Sequence, residues 1–317
     1  MTTAKFTPSQ DLNVWVGMLH GLYGPTQNYS KTTYEIHTHL TEVCGVFAKQ
    51  LFKKRDIEAA ADFLPKLFAW GVALLKSMRP EQTDLEEIIL RKYPGVCPYC
   101  GTYPCVCWNG EKPTLDPESV RANYFRNAPS LRRSANDFQL MFRKIYGDTW
   151  GEPEQGSDAL QNRLRQPFVR MIEELAEIGE AIRFYHLYPE NFENELADFF
   201  AWWFGLVSCF PNDEGKEALL AEQLLWAAYP GHCPHCDLFP CFCRPGPVRE
   251  LMSKPPPGQD HQFDVLTALY NQGAYKEDME RIANGEMPAA FPVSCVRVDV
   301  DNFKSINDNH GVALRAQ

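Results

Sequence analysis

No apolar run in this 317-residue chain is long enough to cross a bilayer: the longest, Phe199 to Phe210, falls well short of the roughly 20 residues a spanning helix needs. The N-terminal MTTAKFTPSQ has no basic segment followed by an apolar one, so no export signal is expected. An excess of positive charge is also missing. Thirty-one Lys and Arg against 41 Asp and Glu give a formal charge of −10, which disfavours adhesion to a nucleic-acid polymer or an anionic lipid surface. It leaves room for a local basic pocket for a small anion. Low-complexity bias is absent, since 44% hydrophobic and 23% charged residues exclude wholesale disorder and collagen-like character. A soluble cytoplasmic protein with no membrane partner is expected, of about two domains at roughly 150 residues each.

Cysteine is plentiful. Eight of the 11 cysteines fall in two clusters, Cys97, Cys100, Cys105 and Cys107, then Cys233, Cys236, Cys241 and Cys243. Tyr93-Pro-Gly-Val-Cys-Pro-Tyr-Cys100 recurs as Tyr229-Pro-Gly-His-Cys-Pro-His-Cys236, and every clustered cysteine is displaced by 136 positions. At the same displacement Ala60-Ala-Asp-Phe63 faces Leu196-Ala-Asp-Phe199, and one residue of slippage aligns Leu40-Thr-Glu-Val43 with Leu175-Ala-Glu-Ile178. So long a period indicates two copies of one domain and not a solenoid array. Four thiolates spaced CxxCxxxxCxC suit tetrahedral structural Zn²⁺, stiffened by prolines at 98, 104, 234 and 240. Reduced core cysteines, a redox CxxC and an iron–sulfur cluster are the alternatives. Cys44, Cys209 and Cys295 stand alone and are expected to be buried thiols.

Each copy is helix-rich by pattern. Phe168, Met171, Ile172, Leu175, Ile178 and Ile182 recur at three- and four-residue spacing, which predicts a helix over 168–185 with an apolar face. Further helices are expected over 193–209 and 213–229, with first-copy counterparts over 56–76 and 83–93. Pro-rich stretches at 112–117 and 244–258 mark candidate boundaries.

The segment Glu173-Glu174-Leu-Ala-Glu177, followed after seventeen residues by Glu195-Leu-Ala-Asp198, places carboxylates at i and i+3 on two helices, hence on a shared face of each. If the helices pack antiparallel, four carboxylates converge and raise one another's pKa unless a cation neutralises them. Hard oxygen ligands of this kind suit Mg²⁺ or Mn²⁺, whose usual companion is a nucleotide phosphate. A solvated acidic face is the plainer alternative, costing only about 0.2 to 0.5 kcal/mol per like-charged pair.

EExxE followed by ExxD resembles the signature of the MazG-like all-α nucleoside triphosphate pyrophosphohydrolases. That resemblance implies a helical bundle holding Mg²⁺ through Glu174, Glu177, Glu195 and Asp198, with Glu173 behind them or supplying the base. It further implies a catalytic pair in Glu173 and Glu177, release of pyrophosphate from a nucleoside triphosphate, and dimeric or tetrameric assembly. The first copy departs from the pattern, because Thr38 and His39 replace the glutamate pair and Ala59 replaces Glu195, while Glu42 and Asp62 remain. It is expected to be a catalytically silent partner in an internal pseudo-dimer, with a homodimer of the whole chain as a further option. Arg163, Arg165 and Arg170 are candidate phosphate contacts. Trp202 and Trp203 are candidates to stack on a base. Solvated arginines and core aromatics are the structural alternatives.

In the tail, Asp264-Val-Leu-Thr-Ala-Leu-Tyr-Asn271 and Val296-Arg-Val-Asp-Val-Asp-Asn-Phe-Lys304, then Ile306-Asn-Asp308, resemble the opening of GGDEF diguanylate cyclase domains. The alternating Val296, Val298 and Val300 fit a strand. The resemblance implies that Asp299 holds Mg²⁺, that Asn307 contacts guanine and that Lys304 lies beside the triphosphate. The sequence ends at Gln317 without a GGDEF loop, so no cyclase activity is expected of this chain.

The expected architecture is mainly α. Residues 1–125 form a degenerate MazG-like repeat with a four-cysteine zinc element, and 126–246 form a repeat with an intact acidic motif and a four-cysteine element of its own. A Pro-rich linker at 247–262 leads to a partial α+β GGDEF segment at 263–317. The expected activity is Mg²⁺-dependent nucleotide pyrophosphohydrolysis by the second repeat. The rival is a nucleotide-sensing module that regulates an attached cyclase.

Overall fold

A computed structural model describes residues 10–29, 31–81, 84–107, 115–131, 133–150, 157–211 and 218–243, together with 276, 280, 281 and 284. The chain divides into two compact units, Met1–Cys243 and Arg244–Gln317. The described part of the first is mainly helical. Its helices are α1 (Leu12–Tyr23), α2 (Thr33–Ala48), α3 (Ile57–Ala61), α4 (Leu64–Met78), α5 (Leu85–Lys92), α6 (Pro117–Asn127), α7 (Ala135–Trp150), α8 (Ser157–Arg183), α9 (Pro189–Cys209) and α10 (Ala221–Ala228). Among the described residues of the second unit, Asn284 N–H donates to Glu280 C=O.

Local chemistry sets the helix starts. Thr32 and Glu35 form a reciprocal capping box on α2, and the side chains of Asp56, Asp84 and Asp116 accept from the N–H groups of Ala59, Glu87 and Ser119. These bonds satisfy donors that the first turn leaves without intrahelical partners. Packing then decides the lengths. The helix expected from Phe168 begins at Ser157 and runs through Pro167. Proline forfeits one helical bond, but Leu164 and Phe168 on either side are buried, with Phe168 against Phe47 and Phe52. Ile172, expected on the apolar face, is 36% exposed.

Two further expectations need correcting. The helix expected over 213–229 is seen as α10 from Ala221 to Ala228, because Ala218 forms an isolated bridge with Pro211 and Leu219 N–H donates to Phe210 C=O; residues 212–217 lie outside the described residues. The long first-copy helix is broken at Asp62 and Phe63 into α3 and α4, with Pro65 in the first turn of α4. Its counterpart α9 is continuous.

The apolar run from Phe199 to Phe210 forms the centre of the unit. On α9, Phe199, Phe200, Trp203, Phe204, Leu206 and Val207 are fully buried, as expected of a helix apolar on every side. Phe68 packs on Phe200 and Trp203, and Phe138 and Phe142 stack on Phe204. The buried Trp203 indole donates to Leu64 C=O at 2.8 Å. Gly71 lets α4 approach closely, since a Cβ there would stand 2.9 Å from Phe200 and 3.0 Å from Phe199.

The two repeats interlock reciprocally. Cys105 N–H donates to Ile145 C=O at the end of α7, and Cys241 N–H donates to Leu22 C=O at the end of α1, both at 2.7 to 2.8 Å. Each cysteine element therefore rests on the first helix of the other repeat. Asn13 exchanges bonds with Glu86 while Asn136 exchanges bonds with Glu222. Asp11 and Ser134 form a bridge where the two leading segments meet. Backbone conformations also match, with positive φ at Gly95 and Gly231 and cis bonds before Pro104 and Pro240. Glycine suits the first pair because other side chains rarely adopt that region.

Candidate metal and nucleotide site

α8 and α9 pack against each other and bring part of the acidic motif together. One carboxylate oxygen each from Glu174, Glu195 and Asp198 lies within 4.8 Å of the other two. Glu177 borders this cluster: it is hydrogen-bonded to Glu195, and its charge acts on both Glu174 and Glu195. Glu173 stands apart, exposed and paired with Arg170 at 2.5 Å. Three of the four acids expected to converge thus lie together, with Glu177 beside them and Glu173 on the outer face.

Burial, then the charges of Asp198 and Glu177, push the Glu174 carboxyl up to about 8 despite a hydrogen bond from Trp202. Burial also raises Glu195, to about 7, against the opposing pull of Lys92. Trp202 Nε1 donates to Glu174 Oε1 at 3.2 Å. Glu174 Oε2 is buried and has no hydrogen-bond partner among the described residues. A buried carboxylate oxygen without a partner is costly, and a divalent cation among three converging carboxylates would satisfy it. The donor set, all oxygen, fits Mg²⁺ or Mn²⁺.

The first repeat reaches into this site with residues that the sequence did not single out. α5 lies against α9, tied by Arg91 to Glu193 at 3.2 Å, and Arg79 at the end of α4 pairs with the same carboxylate. At the end of α5, Lys92 Nζ meets Asp198 Oδ2 at 2.6 Å and Asn194 C=O at 3.3 Å. Tyr93 donates its hydroxyl to Asp198 Oδ1 at 2.5 Å. Burial pulls Lys92 down, yet Asp198, with Glu195 and Tyr99 behind it, holds the ammonium above its ordinary value. Burial and then Asp198 raise both Tyr93 and Tyr99, and Tyr99 also feels Glu174 and Glu195. A signal was present at the 136-residue displacement, where Lys92 faces Ala228 and Tyr99 faces His235. The two repeats differ where one of them meets the acids.

The other pocket candidates lie elsewhere. Arg165 sits over the Phe52 ring, Arg163 is hydrogen-bonded to the Cys209 thiol, and Trp203 is core. In the first repeat His39 Nδ1 pairs with Glu42 at 2.8 Å and stacks on Trp70, while Asp62 is exposed at the helix break. No group of three metal-ligating side chains occurs there apart from the cysteines, among the described residues.

Both cysteine clusters converge, each with four Sγ atoms within 4.8 Å of one another. Cys97 and Cys105 lie 3.4 Å apart, and Cys97 and Cys107 lie 3.8 Å apart. The described cysteines are free thiols. In each cluster burial works against ionisation, but hydrogen bonds bring the second cysteine, Cys100 or Cys236, down to about 6. Four soft donors without an open position have the chemistry of a structural zinc centre. Cys44 and Cys209 are buried, and burial raises their thiols to about 12 and about 11. Cys295 lies outside the described residues, as do Asp299, Lys304 and Asn307.

No helix of the described residues is long and apolar enough to cross a membrane. No solved structure matches the chain. The tail does find relatives. Residues 261–314 match the family described as "Diguanylate cyclase, GGDEF domain". Over 53 residues the chain is 40% identical to "Diguanylate cyclase VdcA" of Vibrio cholerae, a stretch covering 17% of this chain and 14% of that protein. The matched region encloses both tail motifs, Asp264 to Asn271 and Val296 to Asp308. Residues 261–314 are thus similar to part of a GGDEF domain, and the chain spans well under two thirds of the curated relative it matches.

Proposed function

We propose that the helical unit binds a nucleoside triphosphate with Mg²⁺ (or Mn²⁺) and acts as a nucleotide-sensing regulatory module for a GGDEF-type diguanylate cyclase. The orphaned Oε2 of Glu174, in a cluster with Glu195 and Asp198, carries this reading, because it leaves an oxygen donor directed to nothing else. In it Glu174, Glu195 and Asp198 are the metal ligands and Glu177 stands beside them. Bound there, the cation would neutralise the carboxylates and a polyphosphate together. The GGDEF segment in the same chain makes regulation of a nucleotide cyclase the natural output. Each cysteine cluster holds one structural Zn²⁺, and the first repeat serves as an internal partner.

A second reading, MazG-like pyrophosphohydrolysis at the same site, is favoured by Glu177, an exposed carboxylate hydrogen-bonded to Glu195 and so placed to hold a water. Calorimetric binding of a nucleoside triphosphate panel with Mg²⁺, run alongside an assay for released pyrophosphate, separates the two. Binding without pyrophosphate supports the sensor; stoichiometric pyrophosphate and nucleoside monophosphate support the hydrolase. Absence of binding by every nucleotide, or binding unaffected by Glu174→Gln, overturns both.

A further inference from the structure

The two cysteine elements are matched in sequence and backbone, but only one of them borders the acidic site. Tyr99 lies inside the first CxxC and feels Asp198, Lys92, Glu174 and Glu195. Lys92 and Tyr93, which grip the two oxygens of Asp198, precede Cys97 by only five and four positions. A second connection runs through side chains. Tyr146 donates its hydroxyl to Cys97 Sγ at 3.7 Å, and its ring packs edge-on against that of Tyr93 at 6.3 Å. Phe142 braces Tyr93 from the same helix at 5.1 Å. Cys97, Tyr146, Tyr93 and Asp198 therefore form one continuous packed path, buried or nearly so.

The second element repeats the path without its end. Tyr23 is hydrogen-bonded to Cys233 and packs on Tyr229 at 5.9 Å. Yet Ala228 stands where Lys92 would be, and the first repeat offers only Glu42, engaged by His39, and an exposed Asp62. Among the described residues, the same mechanical device is attached to an acid cluster on one side and to none on the other.

We propose that the first cysteine element is a regulatory wall of the acidic site: its Zn²⁺ occupancy sets the affinity of Glu174, Glu195 and Asp198 for a divalent cation, whereas the second element is structural only. This rests on the cation site proposed above. Zinc draws four thiolates into a fixed tetrahedron and so fixes the loop that carries Tyr99 and the strap that carries Lys92 and Tyr93. When zinc leaves, these side chains lose their anchor and Asp198 loses two oriented partners. Partners behind metal ligands are typically worth about 10- to 100-fold in affinity.

The test uses the full chain, with Mn²⁺ alone as the probe of the acidic site and elemental analysis for zinc. Cys100→Ser should lose about one zinc and weaken Mn²⁺ binding about tenfold or more. Cys236→Ser should lose about one zinc and change Mn²⁺ binding less than about twofold. Tyr146→Phe and Tyr23→Phe repeat the comparison with all cysteines kept, and decide the matter should a serine variant fail to fold by circular dichroism. Tyr146→Phe should weaken Mn²⁺ binding and Tyr23→Phe should not. Equal effects of the paired variants, or none, overturn the coupling while leaving the cation site standing. A wild-type chain that binds no Mn²⁺, or binds it equally well as Glu174→Gln, overturns the site and the coupling with it.

Discussion

Lys92 from the first repeat and Asp198 from the second meet at 2.6 Å, Nζ to Oδ2, where both side chains are largely buried. The contact joins the copy without a complete acidic motif to the copy that has one. A buried charge pair tends to specify an arrangement more than it stabilises the fold, because desolvation offsets much of the attraction. Here it fixes α5 on α9 and supplies a positive charge to a cluster of three carboxylates.

Breaking that pair should destabilise the cation-free protein. Lys92→Met leaves Asp198 as an uncompensated charge, a defect worth about 3 kcal/mol when buried and about 2 kcal/mol here after allowing for residual solvent contact. For a unit of this size the midpoint of thermal unfolding should fall by about 4 to 8 °C. An unchanged midpoint would show that Lys92 and Asp198 are not paired in solution.

Charge removal inside the cluster should act on cation binding. Glu174→Gln takes away the oxygen that has no other partner and should weaken Mn²⁺ binding about tenfold or more. Glu118→Gln, on the exposed face of α6, serves as a control with binding within about twofold. Isothermal titration checks both, and equal affinities for the three proteins would exclude a site at Glu174.

Zinc should be present and should matter for stability. Elemental analysis of purified protein is expected to give about two zinc per chain, one for each set of four thiolates. A high-affinity chelator should lower the unfolding midpoint, since zinc binding is coupled to folding. Absence of zinc, with all eight clustered thiols titrating freely in the native protein, would leave the clusters without a metal.

Two glycines make a packing test. A Cβ at Gly71 would press on the buried rings of Phe199 and Phe200, whereas Gly17 on α1 has nothing within 4 Å of that position. Gly17→Ala should stabilise by about 0.5 to 1 kcal/mol, the ordinary helix preference. Gly71→Ala should destabilise by about 1 kcal/mol, because overpacking by about 1 to 3 kcal/mol outweighs the same preference. Chemical denaturation measures both, and stabilisation by Gly71→Ala would mean that α4 and α9 are less tightly packed than their side chains indicate.

Much was legible in the sequence because it depends on spacing along the chain. The identical cysteine clusters at a 136-residue displacement, the helical character, the i, i+3 carboxylates and the two tail motifs are local patterns. Each follows from helix periodicity or from ligand count within a short segment. The family match over 261–314 rests on such local motifs. Tertiary structure decided the rest. That the apolar run of α9 is the centre of a bundle, that α3 and α4 are separate, and that α8 passes through Pro167 depend on neighbours distant in sequence. The same holds for Lys92, Tyr93 and Tyr99, whose partner Asp198 lies about a hundred positions away. Spacing could show four acids on two helix faces, but only the interlocking of the repeats determined which groups face them, because burial and charge act through space.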